Sequence, residues 1–362
     1  MWLCGCYVQV AKSEIEKMDE IDLCLGTNEK KDIVKYVEEF MSQGQKNEQI
    51  DDVFQNREYG DFGTVTYTDK VRAVIKVQDG CDRFCSYCLI PYARGRVRSR
   101  NPESVVEEVS CIADKGIKEV VITGIHIASY GKDFQNGYKL IDLLEEINEI
   151  KGIERIRLGS IEPLLIDDDF LKRLSKLDKI CHHFHLSLQS GCDETLQRMN
   201  RRYNTAQFTE IVEKLRKTYA DVILTTDIIV GFPGETDEEF ETTYEFLKKI
   251  QFYKMHVFKY SVRTGTKAAK MDGQIPNDVK ETRSKRLIEL SDRNQKTIND
   301  GYVGKKVKVL VEEKEGEYYK GHTDNYLMVK MKCDFNVTNQ IIVVTPNKST
   351  IGELLVENVT KM

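Results

Sequence analysis

From Val71 to Ser261, short apolar runs rich in Val and Ile alternate with longer amphipathic ones, which predicts strands near 71–77, 118–123, 154–159, 183–188, 222–230 and 254–260. Between the first two, Asn101 offers a helix cap and Pro102 a first turn, while Val105, Val106, Val109 and Ile112 repeat on one face and Gly116 supplies a stop. After the fifth strand, Thr236 and Glu239 form a capping-box pattern ahead of Phe240, Tyr244 and Leu247. Six such βα units predict an α/β fold whose parallel strands close into a partial (β/α)6 barrel. Loops at the carboxyl ends of such strands carry the chemistry.

The flanks have other periods. Residues 1–45 read as part of an αβ unit, with a strand into Gly5 and a helix near 31–43, and the polar stretch 46–70 reads as a linker to a main domain over 71–300. A polar helix near 278–300 leads into 301–362, where the short runs Val307–Glu312, Tyr326–Met331 and Gln340–Val344 predict a small β-barrel.

Composition narrows the setting. The 362 residues are 40% hydrophobic and 31% charged with a net charge of -5, so the chain can bury a core and no global field announces a nucleic-acid partner. No run approaches the roughly twenty apolar residues that span a bilayer, and no leader pattern opens the chain, so a cytoplasmic protein without a membrane partner is expected. Leu3-Cys4-Gly5-Cys6 resembles a lipoprotein acylation box but stands too near Met1 to follow a signal peptide.

Three of the ten cysteines crowd into one loop after the first main-domain strand, as Cys81-x-x-x-Cys85-x-x-Cys88. Three thiolates at this spacing can hold three irons of a 4Fe–4S cubane and leave the fourth iron open to chelate S-adenosylmethionine (SAM), whose sulfonium the reduced cluster cleaves. The rival is a zinc site, which usually shows paired CxxC spacings and a fourth nearby ligand. Cys24, Cys111, Cys181, Cys192 and Cys333 read as small buried apolar residues.

The run from Val77 through Cys88 to Gly95, read with Thr123-Gly124-Ile125-His126, Gly231-Phe232-Pro233-Gly234-Glu235-Thr236 and His256-Val257-Phe258-Lys259-Tyr260-Ser261, resembles the methylthiotransferase branch of radical SAM enzymes. The subgroup it most resembles modifies N6-threonylcarbamoyladenosine beside the tRNA anticodon. The resemblance implies a radical SAM barrel, a 4Fe–4S cluster on Cys81, Cys85 and Cys88, SAM as cofactor, tRNA as substrate and an external electron donor; a monomer is expected. Its rivals are modification of a ribosomal protein side chain and an RNA-binding radical SAM protein without methylthio transfer.

For SAM, the resemblance implies an aromatic contact from Tyr87 and contact with the methionyl moiety from Thr123 and Gly124. Ser160, Glu162, Gln189 and Arg201 are candidates for the ligand's polar groups. Each has a plainer reading, Tyr87 as a core aromatic and Glu162 as a solvated loop carboxylate. Arg94, Arg96, Arg98 and Arg100, if extended, share one face suited to phosphates, or form a solvated charged face. The C-terminal module resembles the TRAM RNA-binding domain. From Lys305 onward it holds nine lysines and eight acidic residues, so binding there depends on placement and on Tyr318, Tyr319 and Tyr326.

The family also carries three N-terminal cysteines that hold an auxiliary cluster for sulfur transfer. Met1-Trp2-Leu3-Cys4-Gly5-Cys6-Tyr7 matches the block around the third, which makes Cys6 its counterpart, and the blocks of the first two have none here. The N-terminal unit is therefore expected to be a remnant, with a second 4Fe–4S cluster formed only if the remaining blocks are supplied.

Overall fold

The computed structural model describes residues 1–44, 47–56, 58–60, 63, 71–357 and 359. Its N-terminal unit is a parallel sheet of β1 (Trp2–Cys4), β2 (Leu23–Leu25) and β3 (Asn47–Gln49), in that order, with a helix at Ile33–Gln43. Val8, Ile15, Ile21 and Cys24 make a small core beneath it. β3 falls inside the stretch read as a linker. Its polar residues hid it, because an edge strand pairs through backbone groups and needs no apolar pattern. Of that stretch, Lys46, Arg57, Asp61, Phe62 and 64–70 lie outside the described residues.

The main unit holds six parallel strands, β4 (Arg72–Asp79), β6 (Glu119–Gly124), β7 (Arg155–Leu158), β8 (His183–His185), β9 (Ile223–Val230) and β10 (Lys254–Lys259). A two-residue strand, β5 (Arg98–Ser99), runs antiparallel along the outer edge of β4. The ladders run β5-β4-β6-β7 and β8-β9-β10, and the parallel bridges Ile156 to Ile180 and Ile161 to Leu186 join β7 to the β8 side. The result is one curved sheet, a partial barrel.

Helices cover its convex side because each starts and stops on local chemistry. The Asn101 side chain accepts the Ser104 N–H at the head of Pro102–Asp114, and Thr236 and Glu239 cap Asp237–Ile250 reciprocally. Val105, Val109 and Ile112 from the first of these pack with Ile75, Val77 and Ile122 from the strands. Each such side chain contributes about 1.5–3 kcal/mol by leaving water.

After a 24-residue helix (Asn277–Asp300) come β11 (Val307–Glu315), β12 (Tyr318–Thr323), β13 (Met328–Lys332), β14 (Ile341–Val344), β15 (Lys348–Ser349) and β16 (Leu354–Val356). They form one sheet in the order β14-β11-β12-β13-β16-β15, parallel only between β13 and β16. This C-terminal domain docks on the end of the barrel opposite the cysteine loop. Arg155 donates to the carbonyls of His322 and Lys308, and Arg157 to those of Asp324 and Thr323 while pairing with Glu119 at 2.7 Å. The Tyr326 ring lies stacked between His183, 4.2 Å away, and His322, 4.8 Å away. No described helix is long and apolar enough to cross a membrane.

Candidate radical SAM site

The cysteine loop leaves the end of β4 through Gly80. Its φ of +70° and the 1.8 Å that would separate a Cβ from the Arg96 carbonyl oxygen both demand glycine. That close approach lets the Cys81 N–H donate to the Gly95 carbonyl at 3.0 Å. The loop is pinned from below: Ser86 donates through its backbone to Met199 and through Oγ to Arg198, and its own carbonyl accepts from Ala268. Cys81, Cys85 and Cys88 are all free and partly exposed. Burial pushes the Cys81 thiol up to about 11 and also raises Cys88, so both stay protonated until a metal replaces the proton.

These donors fit an iron–sulfur cluster better than one zinc ion. Bonds of about 2.3 Å to a shared zinc draw thiolates to within about 4 Å of one another. Among the described residues, only His182, Asp221 and Asp324 bring three metal-ligand atoms within 4.8 Å, and the three thiols do not. Wider spacing suits three separate irons.

Around the loop, the sequence candidates divide. Arg201 is partly buried, and its Nη1 donates to Cys85 Sγ at 3.3 Å while Nε and Nη2 donate to the Tyr203 hydroxyl and the Ser187 carbonyl. Glu162 pairs with Arg83 and lies 3.2 Å from His126 Nε2. Burial alone would raise this carboxyl, but His126, Arg83 and Arg201 together hold it below its usual range. It is an anchored acid and no solvated loop residue. Gln189 adopts a left-handed φ of +73° at the end of the β8 segment. Gly124 packs so tightly on β4 that a Cβ would meet the Gln78 carbonyl at 2.8 Å, and Thr123 lies beside it on β6. Tyr87 meets Phe232 edge-on at 6.2 Å, and Ser160 is exposed.

Cys88 opens onto a cavity of about 720 Å³, lined also by Tyr87, Gln189, Asp227, Tyr260 and Cys6. The N-terminal unit reaches this point by docking on the turn of helix at Ile90–Arg94, where Thr27 Oγ1 donates to the Ala93 carbonyl at 2.7 Å. Cys6 is thereby held beside Arg94, whose Nε donates to its sulfur at 3.1 Å. Cys4 is exposed and lines no part of the cavity.

The arginine run needs correction. Arg94, Arg96, Arg98 and Arg100 do not share one extended face, because Arg94 ends a helical turn and only Arg98–Ser99 is strand. Arg98 and Arg100 are buried at 2% and 5% exposure, the first near Asp79 and the second bound to Glu108. Two carboxylates hold them inward, away from the exposed surface. Arg96 stays exposed, paired with Asp82 at 3.2 Å and lying over the rings of Phe54 and Phe84. Residue-by-residue reading missed His126, Asp227, Tyr203 and Arg263. The two-residue period of the strands was the signal available for Asp227, since it marks which side chains face the hollow.

Residues 75–247 match the model of the radical SAM superfamily, whose members use a 4Fe–4S cluster and SAM. The threonylcarbamoyladenosine tRNA methylthiotransferase MtaB of Bacillus subtilis is 38% identical over 346 residues, which cover 94% of this chain and 76% of that protein. MtaB of Aquifex aeolicus is 40% identical over 326 residues, covering 90% of this chain and 78% of that one. The tRNA-2-methylthio-N(6)-dimethylallyladenosine synthase of Acetivibrio thermocellus is 37% identical over 352 residues, covering 95% and 73%. With a cluster-ready thiol loop at the mouth of a partial barrel and such identity along nearly its whole length, the chain belongs to the methylthiotransferase family of radical SAM enzymes.

Proposed function

We propose that this enzyme adds a methylthio group to N6-threonylcarbamoyladenosine beside the anticodon of tRNA. The observation that carries the reading is that Cys6 and Cys88 face one cavity, so a sulfur-bearing group at Cys6 and a SAM cleaved at the thiol loop address the same bound base. Similarity to the two MtaB proteins supports the threonylcarbamoyl substrate.

When bound, the cluster supplies the electron that cleaves the sulfonium of SAM. The chain's own residues prepare that event. Cys81, Cys85 and Cys88 hold the cluster, and the Arg201 guanidinium beside Cys85 stabilises negative charge on its sulfur. Arg201, the clamped Glu162 and Gln189 address the polar groups of SAM, with Tyr87, Thr123 and Gly124 shaping its seat and exposed Ser160 at the rim. Lys259 and Arg263 line the cavity, and with Arg96 outside it they give RNA phosphates a local positive surface that the net charge conceals. An external donor reduces the cluster, and the enzyme works in the cytoplasm as a monomer.

The test is to reconstitute the chain anaerobically with iron and sulfide, supply SAM, a reductant and tRNA carrying threonylcarbamoyladenosine, and analyse the digested nucleosides by mass spectrometry. With the N-terminal blocks that complete the sulfur-carrying cluster supplied, the methylthio derivative is the expected product. Deoxyadenosine formation with no methylthio nucleoside would overturn the reading, and product only on dimethylallyladenosine tRNA would reassign the substrate.

A further inference from the structure

The hollow of the barrel is layered by the period of its strands. On β9, Leu224, Ile228 and Val230 join the core under the helices, whereas Thr225, Asp227 and Ile229 face inward. β10 runs in register beside it, with His256 level with Asp227 and Phe258 level with Ile229. On the other side, His185 of β8 is level with Thr225. One layer of the hollow therefore gathers an acid and two imidazoles. His185 Nε2 lies 3.2 Å from Asp227 Oδ2, and the His185 and His256 rings are 5.7 Å apart. Thr225 Oγ1 fixes His185 from behind, 2.9 Å from its Nδ1, and reaches His183 Nε2 at 3.0 Å.

This layer meets the cavity of Cys88 and Cys6 at Asp227. Among the described residues lining that cavity, Asp227 is the one carboxylate, set against Lys259 and Arg263. Within the described residues no side-chain hydrogen bond to it is completed, and His185 Nε2 lies beside it at 3.2 Å. Next to it are Ile229 and Phe258, whose ring is 54% exposed although it stands on a barrel strand. A partly exposed carboxylate facing a cavity has lone pairs open to a ligand's donor, and an exposed aromatic face beside it is a surface on which a flat ring stacks. A nucleobase drawn out of RNA supplies both partners, a planar face and an exocyclic N–H.

We infer that Asp227 is a positioning residue that accepts the exocyclic N–H of the target adenine, with His185 fixing the direction of its carboxylate and Phe258 supporting the ring. The inference rests on the tRNA reading and names the group of this chain that reads the base. It requires no redox step, only a hydrogen bond present when the base enters the cavity.

The experiment separates base reading from RNA binding in general. Anticodon stem-loop RNA with adenosine at the target position, and the same RNA with purine riboside there, which lacks the exocyclic amine, are titrated by fluorescence anisotropy against the full reconstituted chain. The same titrations are made with its Asp227→Ala and Asp227→Asn variants. Wild type should bind the adenosine RNA roughly 10-fold more tightly than the purine RNA, the scale of a hydrogen bond to a charged group. Asp227→Ala should bind both alike, at the level wild type shows for purine. The isosteric Asp227→Asn guards against a folding defect and should retain only part of the preference. An amine-deletion penalty of the same size in wild type and both variants overturns the inference while leaving the tRNA reading intact. Failure of wild type to bind either RNA overturns the inference, and failure to bind the same stem-loop carrying N6-threonylcarbamoyladenosine overturns the tRNA reading as well.

Discussion

The two ends of the barrel bury similar side chains to opposite purpose. At the end facing the C-terminal domain, Arg155 and Arg157 sit on Glu119 and spend their remaining donors on four carbonyls of the docked sheet. At the other end, Arg201 is only partly buried and gives one donor to Cys85 Sγ, beside the free thiols of the loop. Buried charge with a complete set of protein partners fixes one domain on another. A partly buried charge aimed at sulfur marks where a cofactor completes the partner set.

The largest effect expected from disturbing this contrast lies at the docked end. Arg157→Met leaves Glu119, which has no exposed surface, short of its strongest partner, and should cost about 3 kcal/mol in urea unfolding with iron binding kept by the folded fraction. At the thiol end, Gly80→Ala forces a Cβ against the Arg96 carbonyl and should cost about 1–2 kcal/mol, but its clear signature is reduced iron per chain after reconstitution. Arg201→Lys keeps the charge and loses the fork that spans Cys85, Tyr203 and Ser187. Deoxyadenosine formation should fall roughly 10- to 100-fold with little change in unfolding midpoint. Equal losses of stability at Arg157 and Arg201 with activity unaffected at both would erase the contrast.

A smaller effect comes through pH. His183 is buried against Tyr326, and desolvation, reinforced by Arg157, depresses its pKa well below the usual 6.5. The unfolded chain therefore binds a proton that the folded chain refuses, so stability falls as pH drops below about 6.5, by at most about 1.4 kcal/mol per pH unit. His183→Gln should flatten that slope in urea titrations between about pH 6.5 and 5. Smallest of all, Arg96→Gln should stay within about 0.5 kcal/mol of wild type, as exposed pairs do, while the buried Arg98→Gln costs clearly more.

Strands, caps and the thiol triplet were legible in the sequence because each depends on neighbours a few residues away. The Asn101 cap and the Thr236/Glu239 box formed as their spacing implied, and all six barrel strands fall where the apolar runs stand. What stayed hidden depends on distant partners. Neither Arg98 nor Arg100 announces burial by its type, since Asp79 on β4 and Glu108 on the helix Pro102–Asp114 meet them only once strand and helix are packed. The same holds for β3, a polar strand made by pairing with β2, and for Arg155 and Arg157, whose acceptors lie 153 to 167 residues away in the C-terminal domain. Of the site, the thiol triplet was evident, while the cavity shared by Cys6, Cys88 and Asp227 emerged only with three-dimensional placement.

The most direct measurement is iron, sulfide and deoxyadenosine per chain after anaerobic reconstitution of wild type, Cys85→Ser and Cys111→Ser. The account predicts that Cys85→Ser loses the SAM-cleaving cluster and with it deoxyadenosine, while Cys111→Ser, altered on a surface helix, matches wild type. Deoxyadenosine at the wild-type level from Cys85→Ser would contradict it.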